Sequence, residues 1–306
     1  MRTATTIRIA LWTLVAVILV GLLVAGIRGD LPFVGINIGT AFHYKDSELY
    51  EVGGGTAEAS EVNEIEVNWI SGKIKIEPYE GNVIVFEETG QKALSEKERM
   101  RYYLNNGKLI IQFQAPNRGI NILNNISKDL TIRVPEEFAL DMLDVETVSG
   151  EIRGEGFSAR KVDVDGISNR VNLDDILSTD ISIESVSGNV VCTGIQVDKI
   201  DVESISGAIS LMGILEEVEC NSTSGKISIE PGLDVRRIDA ESISGSITVL
   251  IPENEGFKVN YSSISGKFYC DFPASISSEQ AVYKDGKAIF DIETLSGAIR
   301  IEEAAI

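Results

Sequence analysis

The chain has 306 residues, of which 43% are hydrophobic and 24% charged, a balance typical of a folded protein rather than a disordered one. It carries 47 acidic residues against 27 Lys and Arg, a formal net charge of -20 at pH 7, which argues against nucleic-acid binding because phosphates require a basic surface. A single histidine excludes multi-histidine metal centres and allows at most one His-based catalytic triad, and three cysteines cannot form a complete disulfide framework.

The first predicted element is a membrane anchor. Residues 9–27 contain no charged side chain, and at about 1.5 Å per residue such a helix approaches the roughly 30 Å hydrocarbon core of a bilayer. Arg2 and Arg8 precede this run, so the positive-inside rule places the N-terminus in the cytoplasm and the remaining chain outside. A cleaved signal peptide is the alternative, although the apolar run exceeds the usual h-region. We expect a single-pass cell-membrane protein with an anchor over residues 1–28 and a tether over residues 29–62.

A short pattern then recurs through the chain. It alternates apolar and acidic residues, reaches Ser-Gly, and continues with apolar residues at every second position, as in IDVESISGAISL (200–211) and FDIETLSGAIRI (290–301). Alternation of this kind is typical of β-strands. From Ser149 onward, the successive serines are separated by 19, 19, 19, 18, 20, 21 and 31 residues. A near-constant step indicates a repeat architecture.

The alternation changes phase at the serine, which predicts a corner between two arms that both direct apolar residues to one interior. In one unit that interior face is predicted to contain Ile200, Val202, Ser204, Ile205, Ile209 and Leu211. Two short strands per coil of about 19 residues, stacked coil upon coil, make an all-β solenoid; a β-sandwich of hairpins is the structural alternative. Ser168-Asn169 is a degenerate corner, since Asn tolerates positive φ. The other predicted structural corners are Ser71, Gly72, Ser149, Gly150, Ser187, Gly188, Ser206, Gly207, Ser224, Gly225, Ser244, Gly245, Ser265, Gly266, Ser296 and Gly297.

Two stretches break the period. Residues 80–142 are predicted to contain strands at 82–87, 108–114 and 130–134 and a helix at 93–104. Together with the first Ser-Gly unit they form a capping region over 63–142, which covers the open edge of the first coil. The coils follow over 143–306, with a predicted hairpin at 282–290 that turns at Asp285-Gly286 before the final coil.

With these motifs, residues 60–306 resemble the bacterial "putative adhesin" family, a domain-of-unknown-function family of β-strand-repeat envelope proteins with membrane-anchored members. The matching stretches are VNWISGKIKIEP (67–78), the ESISG and ETVSG units, and YKDGKAIFDIETLSGAIRIEE (283–303). The resemblance implies a solenoid-like all-β fold and association with the cell envelope. Some members of the family are encoded beside envelope-stress response systems. It supplies no catalytic residues.

Acidic residues occupy the outward positions of the first arm, and in-register coils would align them in two columns at steps of about 4.8 Å. One interpretation is a face for cations or a cationic partner, and the other is a solvated exterior. No metal ligand is assigned, because the Gly-Gly-x-Gly-x-Asp pattern of calcium-binding β-rolls is absent. The columns are predicted to contain Asp144, Glu146, Asp163, Asp165, Glu184, Asp201, Glu203, Glu219, Asp239, Glu241, Asp291 and Glu293.

The corner serines and the cysteines are given structural roles. A catalytic serine needs a general base, and the single histidine cannot serve every corner, so a ladder of serines bonded to one another is favoured. Cys192, Cys220 and Cys270 all align with inward positions of the repeat, which predicts buried, reduced and unreactive thiols.

The sequence therefore favours a non-catalytic, membrane-anchored extracytoplasmic protein whose rigid acidic surface serves envelope interaction or envelope-stress sensing. The expected partners are the membrane, through the N-terminal helix, and an envelope protein or cell-wall component. Divalent cations are a further candidate, and neither nucleic acid nor a cofactor is expected. The alternative is a polysaccharide-active β-helix enzyme using clustered carboxylates and Ca²⁺, but the regular acidic face marks out no single site.

Overall fold

The computed structural model describes residues 36–37, 41–42, 44–116, 126–232 and 235–304. Over these ranges the chain is built almost wholly from β-strands, and its helices are two short 3-10 turns, Ser47–Leu49 and Ala59–Glu61. The all-β prediction is confirmed. The predicted anchor lies outside the described residues, within which no helix has the length and apolar character needed to span a membrane.

Antiparallel strands cover the N-terminal end of the stack. The strands of the chain up to residue 135 are β1 (Ile36–Asn37), β2 (Ala41–Phe42), β3 (Glu51–Val52), β4 (Gly55–Glu58), β5 (Glu64–Tyr79), β6 (Val83–Gly90), β7 (Arg101–Asn105), β8 (Lys108–Gln112) and β9 (Lys128–Pro135). β1 and β2 form a separate pair. β5 carries the first Ser-Gly unit, and β8 and β9 pair parallel with its two halves. β7 and β6 then pair antiparallel with β8 and β9, so both edges are covered at this end.

The central coils pair parallel and in register. Their strands are β10 (Ala139–Glu155), β11 (Ser158–Asp174), β12 (Leu177–Ser187), β13 (Val190–Ser206), β14 (Ile209–Ser224), β15 (Ile227–Pro231), β16 (Arg237–Ser244) and β17 (Ile247–Ile251). Ser149 lies opposite Ser168, and Ser168 opposite Ser187, so a step of 19 residues returns the chain to the same column. This stacking agrees with the predicted solenoid. The predicted two short strands per coil are found in the later coils, where β16 and β17 lie on either side of the Ser244-Gly245 corner. The prediction is wrong for the first coils, because β10 and β11 run through the corner without a break.

The C-terminal end departs from chain order. Its strands are β18 (Gly256–Ser263), β19 (Phe268–Cys270), β20 (Ser275–Ile276), β21 (Gln280–Lys284), β22 (Ala288–Ser296) and β23 (Ile299–Glu303). β22 and β23, the last unit in sequence, lie between β16–β17 and β18–β19. The unit over 256–270 therefore forms the terminal coil. The predicted hairpin over 282–290 is wrong, because β21 and β22 pair with opposite edges of β18 rather than with each other.

The predicted helix over residues 93–104 is also wrong. Residues 96–98 form a turn, and the following residues form β7, which pairs with β8. Asn106 and Gly107 have φ of 49° and 84°, the left-handed values that a two-residue hairpin turn requires. Cross-strand pairing thus outweighs the local helical pattern.

One apolar core runs through the coils. A typical inward column contains Val67, Val145, Val164, Ile183, Val202, Cys220, Ala240, Ile292 and Tyr261. All but the last member of this column are buried, at 1% exposure or less, and Tyr261 is half-exposed in the terminal coil. Burial of Cys192 and Cys220 is confirmed, whereas the prediction for Cys270 is wrong. Cys270 has the predicted inward register but belongs to the terminal coil, so no further coil covers it.

Candidate binding face

The outward side of the first arm aligns the predicted acidic residues in two columns. The column that we call the Asp144 column contains Glu66, Asp144, Asp163, Ser182, Asp201, Glu219, Asp239, Asp291 and Asn260. Two residues further along each strand, the Glu146 column contains Asn68, Glu146, Asp165, Glu184, Glu203, Asn221, Glu241, Glu293 and Ser262. Every predicted acidic residue lies in one of them, and Ser182 and Asn221 interrupt them.

Cations neutralise much of the Asp144 column. The ion pairs are Lys108–Glu66 at 2.7 Å, Lys161–Asp163 at 2.6 Å, Lys199–Glu219 at 3.8 Å, Arg237–Asp239 at 3.1 Å and Arg237–Asp291 at 3.2 Å. Three of these cations, Lys161, Lys199 and Arg237, occupy the outward position two residues before the column. Partly exposed pairs of this kind contribute little stability, but they remove most of the local negative charge.

The Glu146 column lacks such compensation over four successive coils. Glu146, Asp165, Glu184 and Glu203 lie in register, and none of them forms an ion pair or a side-chain hydrogen bond with another described residue. At a spacing of about 4.8 Å, neighbouring carboxylates repel by roughly 0.9 kcal/mol in water before screening. The stretch is therefore a line of negative charge that the rest of the described chain leaves unpaired.

Burial and like-charge repulsion both disfavour ionisation on this face. Burial, followed by the neighbouring Asp144 and Asp165 carboxylates, raises the pKa of Glu146 to about 7. Burial and then the Glu184 carboxylate raise the pKa of Asp165 to about 6. Burial also leads the rise in the pKa of Glu203, again followed by Glu184. A bound cation would favour the ionised forms and so be held more tightly at higher pH.

An aliphatic column lies beside the acidic one, at the next outward position. We call it the corner ridge; its members include Val148, Ile167, Val186 and Ile205. Val186 is 37% exposed, and Ile205 is half-exposed, so the prediction that Ile205 points inward is wrong. The alternation of inward and outward residues changes phase after the corner serine, Ser206, rather than before it. Ser204 still points inward at 5% exposure, and the next inward residue is Ile209.

The corner residues stack in columns of their own. Ser71, Ser149, Ser168 and Ser187 lie in register, as do Ser206 with Ser224 and Ser244 with Ser296. Ser149, Ser187 and Ser265 each donate to the carbonyl of the residue before the neighbouring serine, at 3.3–3.4 Å. Direct contact between corner hydroxyls occurs, in the described residues, only between Ser168 and Ser187. The predicted serine ladder is therefore wrong as a continuous feature.

Glycine is required at the corners because neighbouring coils approach closely. Gly188 has a φ of 132°, and a Cβ built on it would lie 1.6 Å from the Asn169 carbonyl oxygen. The other corner glycines lie in the same column: Gly72, Gly150, Gly207, Gly225, Gly245, Gly266 and Gly297. Asn169 is not among the described non-glycine residues with positive φ, so the left-handed conformation expected for it is wrong.

Two further features would bear on chemistry: a group of metal-ligating side chains and a cleft that could hold a small molecule. In the described part of the chain, no group of three or more His, Cys, Asp and Glu side chains is placed to hold a metal ion. A cleft of about 700 Å³, which the sequence did not predict, lies at the C-terminal end. Its charged lining residues include Arg236, Glu255 and Lys287, and each is paired, Lys287 with Glu255 at 2.6 Å and Arg236 with Glu216 at 2.5 Å.

Comparison with known proteins gives one family and several distant structures. A family model described as Toastrack DUF4097 matches residues 62–302. A "putative lipid binding protein" from Parabacteroides distasonis is 17% identical, with 81% of this chain and 96% of that chain covered and a TM-score of 0.49. A "putative adhesin" from the same organism is 13% identical, with 82% and 97% covered and a TM-score of 0.48. A "putative cell adhesion protein" from Clostridium sporogenes is 15% identical, with 83% and 100% covered and a TM-score of 0.27. None of the curated proteins matches the chain.

Proposed function

The chain belongs to the Toastrack DUF4097 family, and from this premise we propose that it is a non-catalytic, membrane-anchored envelope protein that binds a cationic partner on its acidic face. The four unpaired carboxylates of this column, those of Glu146, Asp165, Glu184 and Glu203, carry the proposal. Four stacked carboxylates repel one another in the free protein, and a partner that supplies positive charge along the column relieves that repulsion.

The corner ridge favours a protein segment over a free metal ion as the partner. The ridge places half-exposed aliphatic side chains such as Ile167 and Ile205 directly beside the carboxylates of Asp165 and Glu203. A segment with Lys or Arg on one side and aliphatic residues next to them would satisfy both columns, whereas a divalent ion would use only the first. The register of the coils fixes both columns on rigid strands, so the partner meets a preformed surface.

Binding of a Lys-rich amphipathic peptide tests the proposal. We expect the double variant Glu184→Gln/Glu203→Gln of the full chain to bind the peptide at least about tenfold more weakly than the unchanged protein at low salt. The matched control is Glu136→Gln/Glu137→Gln, which removes the same charge from an exposed turn between β9 and β10. Equal weakening in the two variants would mean that only net charge matters, and the acidic face would then be a solvated exterior.

The membrane anchor is the second part of the proposal. The uncharged run over residues 9–27 and the preceding Arg2 and Arg8 support a cytoplasmic N-terminus with the repeat outside the cell membrane. Cell fractionation tests it: the full chain is expected in the membrane fraction, and a chain lacking residues 1–28 in the soluble fraction. Recovery of a shortened chain in the medium would indicate a cleaved signal peptide instead.

A role in adhesion or in envelope-stress sensing follows from the same binding step. Both need a partner that contacts the acidic face outside the membrane, and neither needs a reaction. The enzyme alternative would use clustered carboxylates with Ca²⁺, and no specific arrangement among the described residues favours it. The peptide experiment therefore addresses the feature on which both non-catalytic roles depend.

A further inference from the structure

One edge of the coil stack is left open at the C-terminal end. Among the residues that the structure describes, β19 is the outermost strand of the second arm and pairs only with β23. β18, the outermost strand of the first arm, is covered by β21, and both arms are covered at the N-terminal end. An uncovered edge strand presents unpaired backbone groups that can pair with another chain.

The backbone groups that face outward can be assigned. The Lys267 carbonyl accepts the Ile299 N–H, and the Asp271 N–H donates to the Ile301 carbonyl, each at 3.0 Å. In a parallel ladder, alternate residues bond to the same neighbour, so Phe268 and Cys270 direct their N–H and C=O groups away from β23. No other described strand pairs with these four groups.

The side chains around this edge are unusually exposed for the positions that they hold. Tyr261, Phe268 and Cys270 occupy inward columns yet are only half-buried, and the Tyr261 and Phe268 rings stack at 3.8 Å. Next to them, Tyr269 is 42% exposed and Ile264 is 75% exposed. Apolar exposure and free backbone groups thus coincide at one end of the molecule.

The acidic columns do not reach this end of the molecule. They end in Asn260 and Ser262 in the terminal coil, so the local repulsion between two copies is weaker here than along the acidic face, although each copy carries a formal net charge of -20. An antiparallel pairing of β19 with itself also matches the outward groups, because each outward residue would meet an outward residue.

We propose that β19 pairs antiparallel with β19 of a second copy of this chain, with the two-fold axis at Tyr269. In this register Phe268 lies opposite Cys270 of the second copy, and the four outward groups of each copy are all paired. Tyr269 then faces Tyr269 of the second copy as a non-hydrogen-bonded pair, with Cα atoms about 4.5 Å apart. The contact is self-complementary and closed, so it yields a dimer rather than a fibre. This inference is independent of the proposed cationic partner.

Disulfide trapping on the full chain tests the register. In the Tyr269→Cys/Cys270→Ser variant, the two introduced thiols lie within the roughly 4.4–6.8 Å Cα span that a disulfide bridges. We expect mild oxidation to yield a covalent dimer at least about tenfold faster than in Leu177→Cys/Cys270→Ser, where only collisions bring the thiols together. Leu177 is a matched control because it is 51% exposed but lies in a central coil, and Cys192 and Cys220 are buried in both variants.

A second variant guards against misfolding. The Arg300 guanidinium lies 4.4 Å from the centre of the Tyr269 ring, so Tyr269→Glu keeps a favourable neighbour within each copy but places like charges opposite each other across the two-fold axis. Light scattering should then show a shift from dimer to monomer, while the far-UV circular dichroism stays that of the folded protein. Equal cross-linking rates at positions 269 and 177 would overturn the proposal. Cross-linking from position 269 to a different protein in membranes would also overturn it, since the edge would then take another chain. Adding Glu184→Gln/Glu203→Gln to the Tyr269→Cys/Cys270→Ser variant should leave its cross-linking rate unchanged, which separates this result from that of the peptide experiment.

Discussion

The degenerate unit around Asn169 keeps the corner with a different pair of residues. In neighbouring coils a small hydroxyl residue such as Ser185 points inward and a glycine follows at the corner. Here Gly166 stands at the hydroxyl position and Asn169 at the glycine position. A Cβ built on Gly166 would lie 2.1 Å from the Asn169 Nδ2, so the amide occupies the space that the missing side chain leaves. Its Oδ1 accepts the Ser185 hydroxyl at 2.8 Å.

The double variant Gly166→Ser/Asn169→Gly should therefore be destabilised less than the sum of the two single substitutions. Gly166→Ser alone forces a side chain against the Asn169 amide, and Asn169→Gly alone leaves Ser185 without its acceptor, a loss of about 1–3 kcal/mol in the free energy of unfolding. The double variant restores the pattern of the adjacent coils, so we expect a favourable coupling of about 1–3 kcal/mol in a double-mutant cycle measured by urea unfolding. Additive effects would contradict the compensation.

The corner glycines give a second prediction at this scale. Gly188→Ala should lower the free energy of unfolding by about 1–3 kcal/mol, because the new Cβ meets the Asn169 carbonyl in a backbone conformation that disfavours side chains. Gly232→Ala is the control, since the nearest atom to its Cβ would lie at 3.5 Å and its φ is not left-handed. Melting temperatures compare the two, and similar shifts would mean that the corner does not require glycine.

At the scale of single elements, the N-terminal covering strands are held by a buried lysine. The Lys128 ammonium donates to the Glu88 carboxylate and the Glu98 carbonyl, each at 2.6 Å, and to the Phe113 carbonyl. It also lies over the rings of Trp69 and Phe113, at 5.1 and 4.4 Å from their centroids. Its side chain is fully buried, and this burial lowers the pKa of Lys128 to about 8.

Removing this cation should open the N-terminal end. Lys128→Met leaves the buried Glu88 carboxylate with only the Met100 N–H and the more distant Arg99 guanidinium, at 3.9 Å. Loss of the buried cation costs about 3–5 kcal/mol, and Lys128→Met/Glu88→Gln should recover part of that loss. Lys287→Met is the control, because its partner Glu255 is exposed and no measurable change is expected. Limited proteolysis between β6 and β9, followed over time, reports the opening; equal protection of both variants would refute it.

The period of the repeat made the coils, the corners and the acidic columns predictable, because in-register stacking follows from a 19-residue step and alternation fixes which side chains point outward. The order of the last two units was not predictable in the same way. The motif at 290–301 matches the other units, so nothing local distinguishes an inner coil from a terminal one, and the position is set by which strand covers β18. The exposure of Cys270 follows from that order, and the corner ridge was missed because the phase changes one step later than the alternation suggests.

At the scale of the whole molecule, the acidic columns extend through most of the coils and couple stability to pH. The pKa of Glu146 is raised to about 7, and those of Asp144 and Asp165 to about 6, each chiefly by burial and then by neighbouring carboxylates. These pKa values exceed the ordinary values of the unfolded chain. In the pH range between the unfolded and the folded pKa values, the folded state therefore binds more protons than the unfolded state. Stability must therefore rise as the pH falls from about 8 to about 5 and level off as the pH approaches the unfolded values, near 4.

The variant Glu146→Gln separates this effect from general charge. It should raise the melting temperature at pH 8, where the native carboxylate is ionised, and its advantage should shrink towards pH 5, where the native carboxyl is already protonated in the folded state. Glu136→Gln, in the exposed turn, should show no such trend. Added salt screens the repulsion between neighbouring carboxylates but leaves their burial unchanged, so high salt should reduce the pH dependence without abolishing it. A melting temperature that falls as the pH is lowered from 8 to 5 would contradict the raised pKa values. If high salt made the melting temperature wholly independent of pH, the raised pKa values would be due to repulsion between carboxylates alone.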